Sequence, residues 1–225
     1  MTSSAAGKNT KQEDPEQELL DILSESGTLR RARSNDNDAK QTRLILDEAT
    51  TVCANGDLSQ LEPPLLTKTL SLPVETFFAH RGHLIQALIL RINYATVQII
   101  RQLTNTTGYD NWLTAGPDAW DRYVGIFLEN EELVACVGTL YMVPEYQQST
   151  AGMLEEVVDI FLQKIEQAGF IATEKRRDVA MYSLEMSNFL RHLVITEPDH
   201  KSRQFLRKQA KSMIAGFLPY ALTYE

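Results

Sequence analysis

Apolar residues recur at helical spacing along most of the chain. The stretch 83–103 shows the pattern most clearly, with one stripe formed by Leu84, Leu88, Ile92, Ala95, Ile99 and Leu103. Similar stripes run through 41–55, 150–168, 173–195 and 201–218, whereas no stretch alternates apolar and polar residues with a period of two. The pattern predicts an all-α protein of about nine helices.

Proline and glycine divide the early part of the chain into short units. Gly56 stops the helix predicted over 41–55, since glycine favours the turn that follows a helix. A helix over 63–70 begins with two prolines, which the first helical turn tolerates because its N–H groups have no partner there. After the turn Ser71-Leu72-Pro73, we expect a third short helix from Pro73 to His80. Three short helices in this order suggest a helix-turn-helix.

Boundaries elsewhere are set by composition. Residues 1–40 are polar and poor in aromatics, and we interpret them as mostly disordered, although a short helix is possible over Pro15–Leu23, where four leucine and isoleucine residues form a small apolar face. The basic cluster within them is either a solvated linker or an arm laid along DNA phosphates or in the minor groove. Residues 104–118 are interpreted as a loop, and Pro144 as the end of a helix. We thus expect a helix-turn-helix unit over 41–82 and a helical bundle over 83–225, whose doubly apolar helices suit a dimer interface.

The formal net charge of the 225-residue chain is −8. It divides into −4 over 1–27, +1 over 28–91 and −5 over 92–225, so the segment 28–91, which contains the helix-turn-helix region, is the only one of the three that is not acidic. This contrast supports nucleic-acid binding weakly. No apolar run is long enough for a membrane span, no secretory signal is evident, and two cysteines are typical of reduced thiols, so we expect a cytoplasmic protein.

The order of these short helices resembles the tetracycline-repressor (TetR) family of transcription regulators. The segment R-L-I-L-D-E-A-T-T-V-C-A-N-G (43–56) is similar to the family's first helix, R-x-x-I-L-x-A-A-x-x-L-F-x-x-x-G, although Cys53 stands where Phe is usual. The segment 71–80 is similar to the recognition segment G-V-S-x-x-T-L-Y-x-H, with Thr76, Phe78 and His80 on its Thr, Tyr and His. The exit Arg81-Gly82-His83 is about three residues shorter than the family's usual F-x-S-K region.

The resemblance implies a repressor that binds a palindromic DNA operator as a dimer. Residues at the start of the recognition helix would meet bases, and its neighbours would meet phosphates. The implied DNA-binding residues are Thr42, Arg43, Lys68, Ser71, Pro73, Val74, Glu75, Thr76, Phe78, His80 and Arg81. Phe77 is interpreted as core, and Phe78 fits the core as well as the DNA surface.

The resemblance also implies a helical pocket for a small hydrophobic or amphipathic effector that releases the DNA. The candidate lining residues are aromatic and thioether groups, each of which could instead be ordinary core: Tyr94, Trp112, Trp120, Tyr123, Phe127, Tyr141, Met142, Tyr146 and Met181. We expect a homodimer through the last two long helices. The candidate dimer residues are Tyr182, Met186, Phe189, Leu193, Phe205, Met213 and Phe217.

Reactive chemistry is not indicated. His80 and His83 lie three residues apart without further ligands nearby in sequence, so we expect no metal. Cys53 and Cys136 lie in apolar surroundings and are expected to be buried. No catalytic motif and no cofactor motif is found. Three hypotheses remain: a ligand-responsive TetR-like regulator, a TetR-fold sensor or adaptor that has lost specific DNA binding, and, as the least supported, an α-helical enzyme.

Overall fold

The computed structural model describes residues 15–30, 36–106, 109–167, 171 and 173–223. In these residues the chain forms ten α-helices, one 3₁₀ turn and no strand, which confirms the predicted all-α class. The helices are α1 (Pro15–Glu25), α2 (Asp36–Ala54), α3 (Pro63–Leu70), α4 (Val74–Phe77), α5 (Arg81–Thr106), α6 (Tyr109–Leu128), α7 (Glu131–Leu140), α8 (Pro144–Gln167), α9 (Glu174–Thr196) and α10 (His200–Thr223).

One continuous apolar core connects the two predicted domains. It extends from Leu23 in α1, through Phe77 in α4 and Leu88 in α5, to Ile214 in α10. The helix α2 packs extensively on α7, α5 packs along α8, and α10 packs against both α9 and α6. The helices of the predicted DNA-binding unit are therefore anchored directly on the rest of the protein.

The short helix allowed at Pro15–Leu23 is present as α1, whereas the predicted disorder is wrong for residues 36–40, which belong to α2. The helix α1 packs on α5 and buries Leu20 and Leu23, and α2 begins at Asp36 instead of Gln41. The described residues after α1 are also held in place, since the Arg30 amide donates to the Phe77 carbonyl at 2.8 Å. A short apolar stripe is enough to order a polar helix when a long apolar helix covers it. Residues 1–14 and 31–35, which hold the rest of the basic cluster, lie outside the described residues.

Two further boundaries differ from the sequence-based prediction because proline was given too much weight. The expected loop over 104–118 is largely helical, since α5 continues to Thr106 and α6 runs through Pro117. Proline inside a helix removes one hydrogen bond, which the packing of α6 on α10 can offset. Pro144 begins α8 instead of ending α7, as the tolerance of proline in a first helical turn allows.

We predict that Leu23→Ala lowers the free energy of unfolding by about 2–4 kcal/mol, because it removes a fully buried side chain from the α1–α5 contact. The matched control is the exposed Glu25→Ala in the same helix, for which we expect a change within about 0.5 kcal/mol. Urea unfolding followed by circular dichroism measures both. Equal stability of the two variants would mean that α1 contributes nothing to the core.

Candidate functional site

The turn between α3 and α4 has the order of a helix-turn-helix but a much reduced second helix. The predicted helix Pro73–His80 is wrong in length, because α4 comprises only the four residues Val74–Phe77. Ser71 adopts a left-handed conformation at φ 53°, which ends α3. The chain leaves helical geometry at Phe78, whose backbone is extended. A single helical turn offers much less surface to a DNA groove than a full recognition helix.

Three of the predicted DNA-binding side chains face the interior. Val74 and Phe78 are fully buried in the core, so the core interpretation of Phe78 is the correct one, and Phe77 is buried beside it as predicted. Thr42 is also buried, and its hydroxyl donates to the Asp38 carbonyl at 2.9 Å. These positions were placed on DNA by resemblance, but the tight exit from α4 turns Phe78 inward beside Val74, and Thr42 lies on the buried side of α2. They are corrected here to structural residues.

Glu75 is held against α3. Its Oε2 accepts a hydrogen bond from the Thr67 hydroxyl at 2.6 Å, and the Thr67 oxygen in turn accepts from the Val74 amide at 3.0 Å. This network fixes the start of α4 on α3. It also occupies one oxygen of the carboxylate that was expected to meet a base edge.

The remaining predicted DNA residues lie on the surface. Arg81 pairs with Glu62 at 3.5 Å, and the Thr76 hydroxyl donates to the Pro73 carbonyl at 2.7 Å. The exposed set comprises Arg43, Lys68, Ser71, Pro73, Thr76, His80 and Arg81. We call this set the turn surface. It carries cations and hydroxyl groups suited to phosphate, but few groups that can read a base.

Two histidines form a close pair, and the two cysteines are buried. The rings of His80 and His83 lie 4.0 Å apart, and burial, with the nearby charges of His80 and Arg30, lowers the pKa of His83. Within the described ranges, no group of three or more His, Cys, Asp or Glu side chains could hold a metal. Cys53 and Cys136 are free thiols and fully buried, which confirms the predicted burial.

A cavity of about 100 Å³ lies between α5, α6, α8, α9 and α10. Its walls are mainly apolar, and Trp120 and Tyr123 of the predicted pocket residues line it. The other lining residues are Thr96, Ile100, Leu103, Gly116, Ala119, Met153, Leu154, Val157, Phe161, Ala180, Ser183, Leu184, Ser187, Asn188 and Ile214.

Most of the other predicted pocket residues do not line this cavity. The Tyr94 hydroxyl donates to Glu18 at 2.7 Å on the side of α1, and Met142 is 83% exposed. Tyr141 stacks on the His192 ring at 3.4 Å. Phe127, Tyr146 and Met181 belong to the core or pack against it, and the Trp112 side chain lies outside the described part. Aromatic composition alone did not show which side of each helix faces the cavity.

Sequence reasoning missed Arg191, which is only 2% exposed. Its Nη1 donates to the Tyr123 hydroxyl at 2.6 Å, and its guanidinium carbon lies 5.7 and 5.2 Å from the ring centres of Tyr123 and Phe127. The signal was present in the sequence, because this arginine interrupts the apolar run Phe189 to Ile195 near the end of α9. A charged residue there must either reach solvent or find partners inside.

An unpartnered apolar face covers α9 and α10. In the single chain Tyr182 is 71% and Phe205 63% exposed, and Met186, Phe189, Leu193 and Met213 are exposed as well. We call these six residues the α9–α10 face. They are the predicted dimer residues except Phe217, whose side chain lies outside the described part.

The comparisons with protein-family models, curated proteins and solved structures found no match to this chain. Among the described residues, no helix has the length and apolar character needed to cross a membrane.

The hydrogen bond between Glu75 and Thr67 should make the stability of the fold depend on pH. The Thr67 hydrogen bond holds the pKa of Glu75 below the ordinary value of 4.5. A lowered pKa in the folded state stabilises the fold above the unfolded-state pKa, and this contribution is lost as the pH falls through the folded-state pKa. We expect Thr67→Val to return the pKa of Glu75 toward 4.5 in an NMR titration, and to lower the melting temperature at pH 7 more than at pH 3.

Thr69→Val is the control, since the Thr69 hydroxyl meets only the Leu65 carbonyl of its own helix. An unchanged pKa of Glu75 in Thr67→Val would show that α4 is not fastened to α3 in this way.

Proposed function

We propose that this protein is a homodimeric, ligand-responsive regulator of the TetR type, with DNA as its target. One observation carries the proposal: α9 lines the cavity with one face and presents an unpartnered apolar surface with the other. Leu184, Ser187 and Asn188 belong to the cavity, whereas Tyr182 and Phe189 are exposed. A helix with two apolar faces needs a partner on each.

A second copy of the chain is the partner that best fits the α9–α10 face. Tyr182, Met186, Phe189 and Leu193 follow one another at intervals of four, three and four residues, which is the spacing of a helix-packing stripe. Phe205 and Met213 extend the patch onto α10. Two antiparallel neighbouring helices pair with their own copies about a twofold axis to give a four-helix interface. Burying this face removes an apolar patch of a kind that soluble monomers rarely expose.

Ligand binding can reach the turn surface through α5. Thr96, Ile100 and Leu103 of this helix line the cavity, and its first residue, Arg81, belongs to the turn surface. A ligand that spreads the cavity walls therefore displaces α5 and α9 together. Packed helices respond to such changes by small rigid shifts, which alter the relative position of the two turn surfaces in a dimer.

DNA contact in this proposal depends mainly on phosphates. Lys68 and Arg81 supply charge, and Ser71 and Thr76 supply hydroxyl groups. Val74 and Phe78 are buried, which leaves little direct reading of bases. We therefore expect affinity that depends strongly on salt and modest discrimination between sequences.

The buried positions and the single-turn α4 favour a second candidate function. In it the dimer senses a ligand but acts on a protein partner without specific DNA binding. The same cavity and the same α9–α10 face serve both candidates, so only a DNA-binding measurement separates them.

The dimer is tested by Phe189→Glu, which places a charge in the centre of the α9–α10 face. We expect the wild type to sediment at twice the chain mass of 25.4 kDa and the variant at the mass of one chain, because burying the new carboxylate in the interface is costly. Met142→Glu is the control, as Met142 is exposed outside this face. A monomeric wild type, or a dimeric Phe189→Glu, would contradict the proposed interface.

DNA binding is tested by selecting duplexes from a random pool and measuring affinity as a function of salt. We expect Lys68→Ala and Arg81→Ala each to weaken binding to all selected sequences alike and to reduce the salt slope by about 1. Lys164→Ala in α8, remote in the chain from the turn surface, should change neither quantity. If no duplex binds at any salt concentration, the second candidate function replaces the first.

A further inference from the structure

We propose that the cavity binds a short-chain carboxylate, and that Tyr123, supported by Arg191, receives the carboxylate group. The inference rests on the ligand pocket of the proposed function and names the chemical class of its ligand. It does not depend on DNA binding.

Among the described residues, the buried cation Arg191 has no anionic partner. Its guanidinium group is always protonated in a protein. Among the described residues, its hydrogen-bond partners are the phenols of Tyr123 and Tyr146, and no carboxylate pairs with it. Burial raises the pKa of Tyr146, so that this phenol remains neutral at physiological pH. The Nε of Arg191 is buried and has no hydrogen-bond partner in the described part of the chain. A buried charge normally has a counter-charge, and here it is missing.

The missing counter-charge can be supplied from the cavity. Ser187 and Asn188 line the cavity, and Arg191 follows them by four and three residues, which places it one turn further along the same side of α9. Tyr123 lies between the cation and the cavity. It lines the cavity while its oxygen accepts the hydrogen bond from Arg191 at 2.6 Å.

The Tyr123 hydroxyl is available to a ligand. Its own hydrogen points toward the Thr96 oxygen at 3.5 Å, a long and therefore weak hydrogen bond. Thr96 lines the cavity as well, so an acceptor that enters there can replace Thr96 as the partner of the Tyr123 hydroxyl at little cost. The bond from Arg191 polarises the phenol and strengthens it as a donor to an anion. Tyr123 is thus the group that touches the ligand, and Arg191 is a positioning residue behind it.

Charge and size define the ligand class. A single negative charge balances one guanidinium, whereas a cation would be repelled and a neutral group would leave the charge uncompensated. The remaining walls, including Ile100, Leu154 and Val157, suit an apolar body. A cavity of 150 Å³ holds benzene, so one of about 100 Å³ accepts an apolar body of roughly four carbon atoms. A branched or linear carboxylate of this size fits both conditions.

The test compares 3-methylbutanoate with 3-methylbutanamide, which has the same shape and no charge. We expect the carboxylate to bind wild-type protein roughly tenfold more tightly in saturation-transfer NMR and to raise the melting temperature more at equal concentration. Arg191→Gln should remove this preference for the carboxylate, and Arg191→Lys should restore part of it. A purely structural role of Arg191 would change stability but leave the ratio of the two affinities as it is.

A second pair of variants tests the inference without altering the buried charge. Tyr123→Phe removes the donor at the cavity and should weaken carboxylate binding while leaving amide binding within about twofold. Tyr146→Phe is the matched control, because Tyr146 contacts the guanidinium but does not line the cavity. It should leave the ratio of affinities unchanged.

The outcomes separate the two proposals. If the amide binds as tightly as the carboxylate, the pocket stands and the assignment of a carboxylate ligand is overturned. Binding of neither compound overturns both the assignment and the ligand pocket on which it rests. Failure to bind DNA, with the carboxylate preference intact, overturns only the proposed DNA target.

Discussion

Burial of α5 is the constraint on which the other elements depend. This helix of 26 residues is apolar on several sides, and Leu84, Ala87, Leu88, Ile89 and Val97 are all buried. It must therefore be covered around most of its circumference, which α1, α2, α6, α7 and α8 do together. The N-terminal segment belongs to the folded protein for this reason.

The same helix also determines the form of the turn between α3 and α4. Because α5 begins at Arg81, only residues 78–80 connect it to α4. Such a short connection cannot carry a longer helix outward and return, so the chain bends at Phe78 and places that ring in the core beside Phe77. The short connection between α4 and α5, visible in the sequence, is thus the reason why α4 is reduced to one turn. As a result Val74 and Phe78, which the resemblance placed on DNA, lie in the interior, whereas Lys68 and Arg81 remain on the surface.

The sequence predicted the structure well where apolar residues repeat at helical spacing and their burial determines the position of the helix. Periodic apolar stripes predicted the long helices α5, α8, α9 and α10 and the exposed face that α9 and α10 share. The prediction failed where a tertiary contact decides: a helix was allowed at α1 but its packing on α5 was not foreseen, and Pro117 and Pro144 were interpreted as breaks. Of the predicted pocket residues, Trp120 and Tyr123 line the cavity whereas Tyr94 and Met142 do not, because composition does not show which side of a helix a residue faces. Arg191 could have been found as the one charge inside the apolar run Phe189 to Ile195.

The position of Arg191 on α9 links the stability of the fold, ligand binding at the cavity and the α9–α10 face. Its burial with no counter-ion among the described residues destabilises the fold, because the two phenols replace lost hydration only in part. An anion that enters the cavity relieves this cost, and any ligand that binds only the folded state stabilises the fold. The relief acts on the last turns of α9, where Phe189 and Leu193 face outward on either side of the buried cation in sequence. A change in charge at the cavity therefore reaches the α9–α10 face within one turn of helix, a shorter path than the one along α5 to the turn surface.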